Sequence, residues 1–301
     1  MMTALLLAGR IWVLVVTGLG GEPQYSERFI REARRFVTTL EERYGVDRQQ
    51  ITWLAEDPGR GGTMATGQAT RENVIQALAG LPARSTAGDV VLILLIGHGS
   101  QSGEPRFNLP GPDITAADFA LALEGLTGRT VVLVNAASAS GGFADALAGP
   151  GRVVVTATKT GFERNETMFG GAFVEAFAGD DADVDRDGIL SLLEAYQHAQ
   201  REVVRQYESD NRLLTEHSRL TDSTLAKQVL FQRPAAVASQ PGDSVAVALE
   251  ARKRDLERQV AELRARKDAM EPAVYERQLE DLLLELARVN RALRERQGAV
   301  P

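Results

Sequence analysis

Long apolar runs punctuate the chain, and each stops at small or polar residues. Ile11 to Thr17 runs into Gly18-Leu19-Gly20-Gly21, and Val90 to Ile96 into Gly97-His98-Gly99-Ser100. Val131 to Val134 runs into Asn135-Ala136-Ala137-Ser138-Ala139-Ser140-Gly141-Gly142, and Gly151 to Ala157 is a fourth run. Unbroken runs of this length predict strands buried on both faces, as in a parallel sheet. Ile51 to Leu54 predicts a shorter strand. Between them the period changes. Phe29, Ile30, Ala33, Phe36, Val37, Leu40 and Tyr44 recur at helical spacing, with Ser26 as N-cap and Gly45 past the end. Thr70 opens a helix carrying Val74, Ile75, Leu78 and Leu81. Thr115-Ala116-Ala117-Asp118 opens another in capping-box style, closed by Gly128, and Thr167 to Ala178 is a further one. Asp57–Gly67 and Gly99–Pro112 read as loops rich in Gly and Pro. The alternation predicts an α/β fold, a mostly parallel sheet with helices on both faces and right-handed crossovers. Ligands of such sheets bind beyond the carboxyl ends of the strands, where His98 and Ser138 fall.

Past residue 232 the pattern is different. Residues 233–244 have the Pro, Ala, Ser, Gln and Gly composition of a linker, and from Val245 to Gln297 there is no Gly. Leu249, Leu256, Val260, Leu263 and Met270, then Leu279, Leu282, Leu286, Val289 and Leu293, step by threes and fours as a coiled-coil seam does. Pro272 stands between the two sets. A proline is welcome in a first turn and disruptive in a helix interior, so the segment reads as two helices in an antiparallel hairpin, with a single kinked helix as the alternative. Three regions result: residues 1–232, a linker at 233–244, and helices at 245–301, whose apolar seam offers a route to homo-oligomers.

Composition narrows the function classes. At 301 residues and 44% hydrophobic content the chain can bury a substantial core. A net charge of −7 excludes the basic footprint of a nucleic-acid binder and disfavours anionic membrane surfaces. There is no cysteine, hence no disulfide, thiolate metal site or thiol nucleophile. The apolar start around Leu5-Leu6-Leu7 is cut by Arg10 and falls short of the roughly 20 residues that span a bilayer. It reads as the approach to the first buried strand or as the remnant of a signal peptide, which leaves a cytoplasmic or an exported location open.

The chemistry is concentrated at two strand ends. His98 is flanked by glycines that permit close approach of a ligand, and Ser138 lies in a turn of small residues. With a His-Gly at one strand end and Ala137-Ser138-Ala139-Ser140-Gly141 at the next, residues 11–231 resemble the caspase and legumain superfamily of cysteine peptidases, in its legumain-like branch. That family carries a small residue, Cys, any residue and Ser-Gly at the second position. The resemblance implies a dyad of His98 and Ser138, with serine where the family has its thiol. It implies that Gly99 and Ala137 contact substrate, and that Thr156–Glu166, with Lys159 and Arg164, lines the pocket for the residue before the cut. A hydroxyl needs a base bonded to it and a third group to orient that base, and no acid is marked for that role. The expected function is therefore a catalytically inactive peptidase homologue that binds a peptide or protein. The alternatives are a hydrolase using Ser138 with His98, a cysteine peptidase whose Cys is replaced at 138, and a scaffold assembled through the C-terminal helices.

Asp183-Val184-Asp185-Arg186-Asp187-Gly188-Ile189-Leu190-Ser191-Leu192-Leu193-Glu194 matches an EF-hand calcium loop position by position. The side chains of Asp183, Asp185, Asp187 and Ser191, the carbonyl of Ile189 and a bidentate Glu194 would supply the oxygens, and Gly188 the sharp turn. Ca²⁺ is the expected cofactor, with a structural role, and a helix from Leu192 to about Tyr207 should follow. His198 and His217 lack partners at metal-ligand spacing and read as structural. Gly18-Leu19-Gly20-Gly21 lacks both a Rossmann pattern and a Walker lysine, and reads as a tight turn beside the cleft.

Overall fold

The computed structural model describes residues 9–234, the positions 249, 252, 253, 255, 256, 259, 260 and 263, and residues 270–297. The leader-like residues 1–8, most of the 233–244 linker and most of the first C-terminal helix lie outside the described residues. The chain divides into two compact units, Met1–Ala182 with Ser191–Leu230, and Asp183–Leu190 with Phe231–Pro301.

In the first unit β1 (Ile11–Thr17) leads into α1 (Pro23–Tyr44), then β2 (Ile51–Ala55), a single turn α2 (Pro58–Gly61), β3 (Gly67–Gln68) and α3 (Arg71–Arg84). Next come β4 (Val90–Ile96), a small sheet of β5 (Gly99–Ser102), β6 (Glu104–Phe107) and β7 (Ile114–Thr115), and α4 (Ala116–Ala122). They are followed by β8 (Thr130–Asn135), α5 (Gly141–Leu147), β9 (Arg152–Thr156) and α6 (Phe169–Ala178). After the acidic loop α7 (Leu192–Ser209), β11 (Arg219–Leu220) and α8 (Ser223–Ala226) complete this unit, while β10 (Ile189–Ser191) and β12 (Leu230–Gln232) are short strands at the limits of the two units. The central sheet has the order β11-β9-β8-β4-β1-β2-β3, parallel throughout except for β11, and β10 pairs with β12 in a ribbon.

This order places the functional region. From β1 the chain steps outward to β2 and β3, then returns to β4 on the other side of β1 and proceeds to β8 and β9. Neighbouring strands thus send their connections in opposite directions at β1 and β4, and the crevice of a doubly wound sheet opens beyond the carboxyl ends of such a pair. β4 and β8 are direct neighbours, with Leu95 in register with Asn135, so the turns after them meet.

Period-2 alternation explains both layers. Trp12, Leu14, Val16, Val91, Ile93, Leu95, Val131 and Leu133 pack with Val74, Leu78 and Leu81 of α3, Phe119 of α4, and Phe143 and Leu147 of α5. The alternate residues, such as Val13, Val15, Leu92 and Leu94, are equally buried. α1 packs on β1 and α6 and sets its Phe36 tilted against Phe173 and edge-on to Phe177 of α6, at ring separations of 6.4 and 5.1 Å.

Several local expectations are revised. α1 starts at Pro23, not after Ser26, because proline needs no N–H partner in a first turn; Ser26 is buried and donates its hydroxyl to Glu56 Oε2 at 2.7 Å. Gly45 does end that helix, at φ 65°. Thr70 and Thr115 cap α3 and α4 as read, Thr115 with Asp118 in a full capping box. The Gly99–Pro112 stretch is a β-hairpin rather than a loop, and α5, for which no helical period was read, follows Ser140 directly.

In the second unit α9 (Pro272–Gln297) begins at the proline. Leu256 and Val289 are buried together, with Leu249, Leu282 and Leu286 packed against them. Among the described residues no helix is long and apolar enough to cross a membrane.

Candidate functional site

His98 leaves β4 at the switch point, and its backbone is fixed on two sides. Its carbonyl accepts the N–H of Asn108 at 2.9 Å, and Gly18 donates to the carbonyl of Ile96 at 2.9 Å, which draws the turn after β1 against it. The imidazole is half-buried between two rings of α1, edge-on to Tyr25 at 5.0 Å and Phe29 at 5.2 Å. Burial lowers its pKa, the Arg28 guanidinium lowers it further, and a hydrogen bond to the Gly20 carbonyl and the Glu22 charge oppose them. The net effect is a lowered pKa, which favours the neutral ring.

Ser138 stands on the turn after β8 and is buried. Its Oγ accepts the N–H of Gly99 and donates to the Gly99 carbonyl, both at 3.4 Å. No hydrogen bond joins it to His98. Packing keeps these groups close: a methyl on Gly99 would lie 2.5 Å from the Ser138 carbonyl oxygen and 3.4 Å from the Ala137 methyl. Ala139 is held at φ 51°, a backbone region that costs a residue with a Cβ, and its N–H donates to the Glu163 carbonyl at 2.8 Å. Thr158 fixes the other side of the turn. Its N–H donates to Ser140 Oγ at 3.2 Å, and its own Oγ1 accepts the Gly141 N–H at 3.1 Å.

Of the residues assigned to substrate contact, Gly99 and Ala137 are at this junction, with Ala137 fully buried. Lys159 and Arg164 are exposed on the loop after β9. Glu163 organises that loop: its carboxylate accepts the Lys159 N–H at 3.2 Å and the His217 N–H at 3.0 Å, and lies 3.2 Å from His217 Nδ1.

Several charged residues were not foreseen. Arg28 on α1 lies over the Tyr25 and Phe29 rings at 5.6 and 5.2 Å, forms an ion pair with Glu166, and is 3.6 Å from Glu32. The carboxylate of Glu32 rests on a notch in α6, where a methyl on Gly170 or Gly171 would meet it at 3.1 or 3.2 Å. Glu216 is buried and accepts the N–H groups of Met168 and Phe169, each at 2.9 Å, which caps the start of α6. Burial raises Glu32 to about 7 against the pull of Arg28 and Arg31. Burial also raises Glu216 to about 7, against its two backbone hydrogen bonds. The helical spacing of Tyr25, Phe29 and Glu32 was a usable signal. Glu216 carried none, because its partners are 47 and 48 residues away.

In the acidic loop, ligand atoms of Asp183, Asp185 and Asp187 lie within 4.8 Å of one another. Gly188 takes φ 83° and donates its N–H to Asp183 Oδ2 at 3.0 Å. Ser191 and Glu194 form the capping box of α7, with Glu194 Oε2 accepting the Ser191 hydroxyl at 2.6 Å.

No family model and no curated protein matches the chain. Seventy chains among the solved structures align with it, and two of them illustrate the likeness. One is drICE, at 9% identity over 71% of this chain and 88% of that chain, with a TM-score of 0.42. The other is protein GSU0716 from Geobacter sulfurreducens, at 11% identity over 75% of this chain and 94% of that chain, with a TM-score of 0.44.

Proposed function

We propose that the chain is a catalytically silent homologue of caspase- and legumain-like peptidases whose strand-end cleft binds an extended peptide or a protein segment. The observation that carries this reading is the engagement of Ser138 Oγ by the Gly99 backbone while His98 is held between Tyr25 and Phe29. A serine nucleophile requires a base bonded to its hydroxyl, and here the hydrogen-bond partners of the hydroxyl are the Gly99 backbone groups at 3.4 Å. Binding draws support from β5, which starts at Gly99 and stands at the edge of its three-stranded sheet. An extended segment can pair with such an edge through main-chain hydrogen bonds.

A fluorophosphonate probe tests silence. Ser138 is expected to remain unlabelled, and labelling that disappears in both Ser138→Ala and His98→Ala would establish the serine hydrolase instead. That second reading has one observation in its favour, the strained Ala139 beside Ser138. Selection from a displayed peptide library tests binding. Enriched peptides should lose affinity for Gln101→Pro, which removes a main-chain donor from the same edge strand, and failure to enrich any peptide over a non-binding control protein would overturn the peptide-binding role.

We propose further that Asp183, Asp185 and Asp187 hold Ca²⁺ in a structural role. What supports this is the EF-hand spacing of the sequence together with the convergence of the three carboxylates.

A further inference from the structure

We propose that α9 is a self-association surface, on which two copies of the chain pack antiparallel about a two-fold axis near Leu283 and Leu284. The helix carries two apolar faces. Leu282, Leu286 and Val289 form one, which is packed with Leu249 and Leu256. Leu283 and Leu284, at 42% and 51% exposure, belong to the other. At 3.6 residues per turn Glu276, Glu280, Leu283, Leu284, Ala287 and Arg291 share that outer face. Leu279, Leu283 and Leu284 with Glu276 and Glu280 line a shallow groove of about 350 Å³ on it. A groove of this kind on the outer face of a helix is the shape that takes the ridges of a second helix.

Charge along the helix selects the occupant and its direction. From Pro272 to Ala287 four of the five charged residues are acidic, Glu276, Glu280, Asp281 and Glu285; from Arg288 to Gln297 four of the five are arginines. A parallel pair of copies would set acidic half against acidic half. An antiparallel pair sets each acidic half against the basic half of its partner, with Leu283 over the partner's Leu284 at the centre. The same patch is then used twice, as a closed two-fold interface requires. Opposite charges flanking an apolar seam fix orientation in the same way in paired helices generally.

The chain has no cysteine, so single introduced thiols report the geometry without background. The full chain is expected to show twice the monomer mass by light scattering, and Leu283→Glu with Leu284→Glu to return it to monomer with an unchanged circular dichroism spectrum. Under mild oxidation Leu284→Cys, near the axis, should link to itself. Glu276→Cys should not, because its copies would lie about 22 Å apart at 1.5 Å rise per residue, far beyond disulfide reach. It should link when mixed with Arg291→Cys. A monomer at every accessible concentration, a dimer that survives the double leucine change, or self-linking of Glu276→Cys would each overturn the proposal.

Discussion

At Gly99 one hydrogen atom in place of a methyl decides whether two turns can meet. Replacing it with Ala would set a Cβ 2.5 Å from the Ser138 carbonyl oxygen and 3.0 Å from that of Arg106, both backbone atoms with little freedom to move. Gly99→Ala is expected to lower stability by about 1–3 kcal/mol in urea denaturation, as overpacking does. Gly80, inside α3 with nothing near its would-be Cβ, is the contrast, and Gly80→Ala should raise stability by about 0.5–1 kcal/mol. His98 makes a second residue-scale prediction. Burial and the neighbouring Arg28 charge hold its pKa below 6.5. An NMR titration should therefore find its midpoint below that value, and Arg28→Met should move the midpoint upward by removing a positive charge; an unmoved midpoint would take Arg28 away from the ring. His98 and Ser138 were both legible in the sequence as strand-end residues. What was not legible was their separate engagement, because the rings around His98 belong to α1 and the atoms around Ser138 are backbone.

At the level of elements, α6 begins against a buried acid rather than a local cap, and this makes its stability pH-dependent. Glu216 titrates near 7 in the folded chain and near 4.5 as an unhindered group. Between those values the folded state keeps a proton that the unfolded state has released, so stability from this group is fully present below about 4.5 and is lost as pH rises through about 7. The difference amounts to roughly 3 kcal/mol at 1.36 kcal/mol per unit. Glu32 acts with the same sign. The melting temperature is therefore expected to fall between pH 5 and pH 8, with a shallower fall in Glu216→Gln. An identical slope in that variant would show that Glu216 is not the titrating group. The elements that were read correctly are those whose cause is local. β1, β4 and β8 are continuous apolar runs, and α3 and α4 carry threonine caps within their own sequence. The β5–β6 hairpin escaped because its strands are Gly99-Ser-Gln-Ser and Glu-Pro-Arg-Phe107, a composition that reads as loop until Phe107 is seen to be fully buried.

For the whole molecule, an α/β architecture with a mostly parallel sheet was readable from the alternation of runs, since both faces of such a sheet must be covered. The grouping of one internal segment was not. The segment Asp183–Leu190 groups with the C-terminal residues, although α6 and α7 on either side of it in sequence belong to the first unit. Sequence order reads domains as successive stretches, and an excursion of eight residues has no compositional mark beyond its own acidity. The excursion carries the three aspartates, so an ion held there would stabilise the second unit directly. A ligand bound only by the folded state contributes about 2.7 kcal/mol at a hundred times its dissociation constant. Scanning calorimetry in millimolar Ca²⁺ and in EGTA should thus displace the transition of the second unit, and Asp185→Asn, which removes a charge from the cluster and alters no apolar packing, should shrink that displacement. Superimposable scans with and without the chelator would leave the acidic loop as a turn of hydrogen-bonded aspartates without an ion.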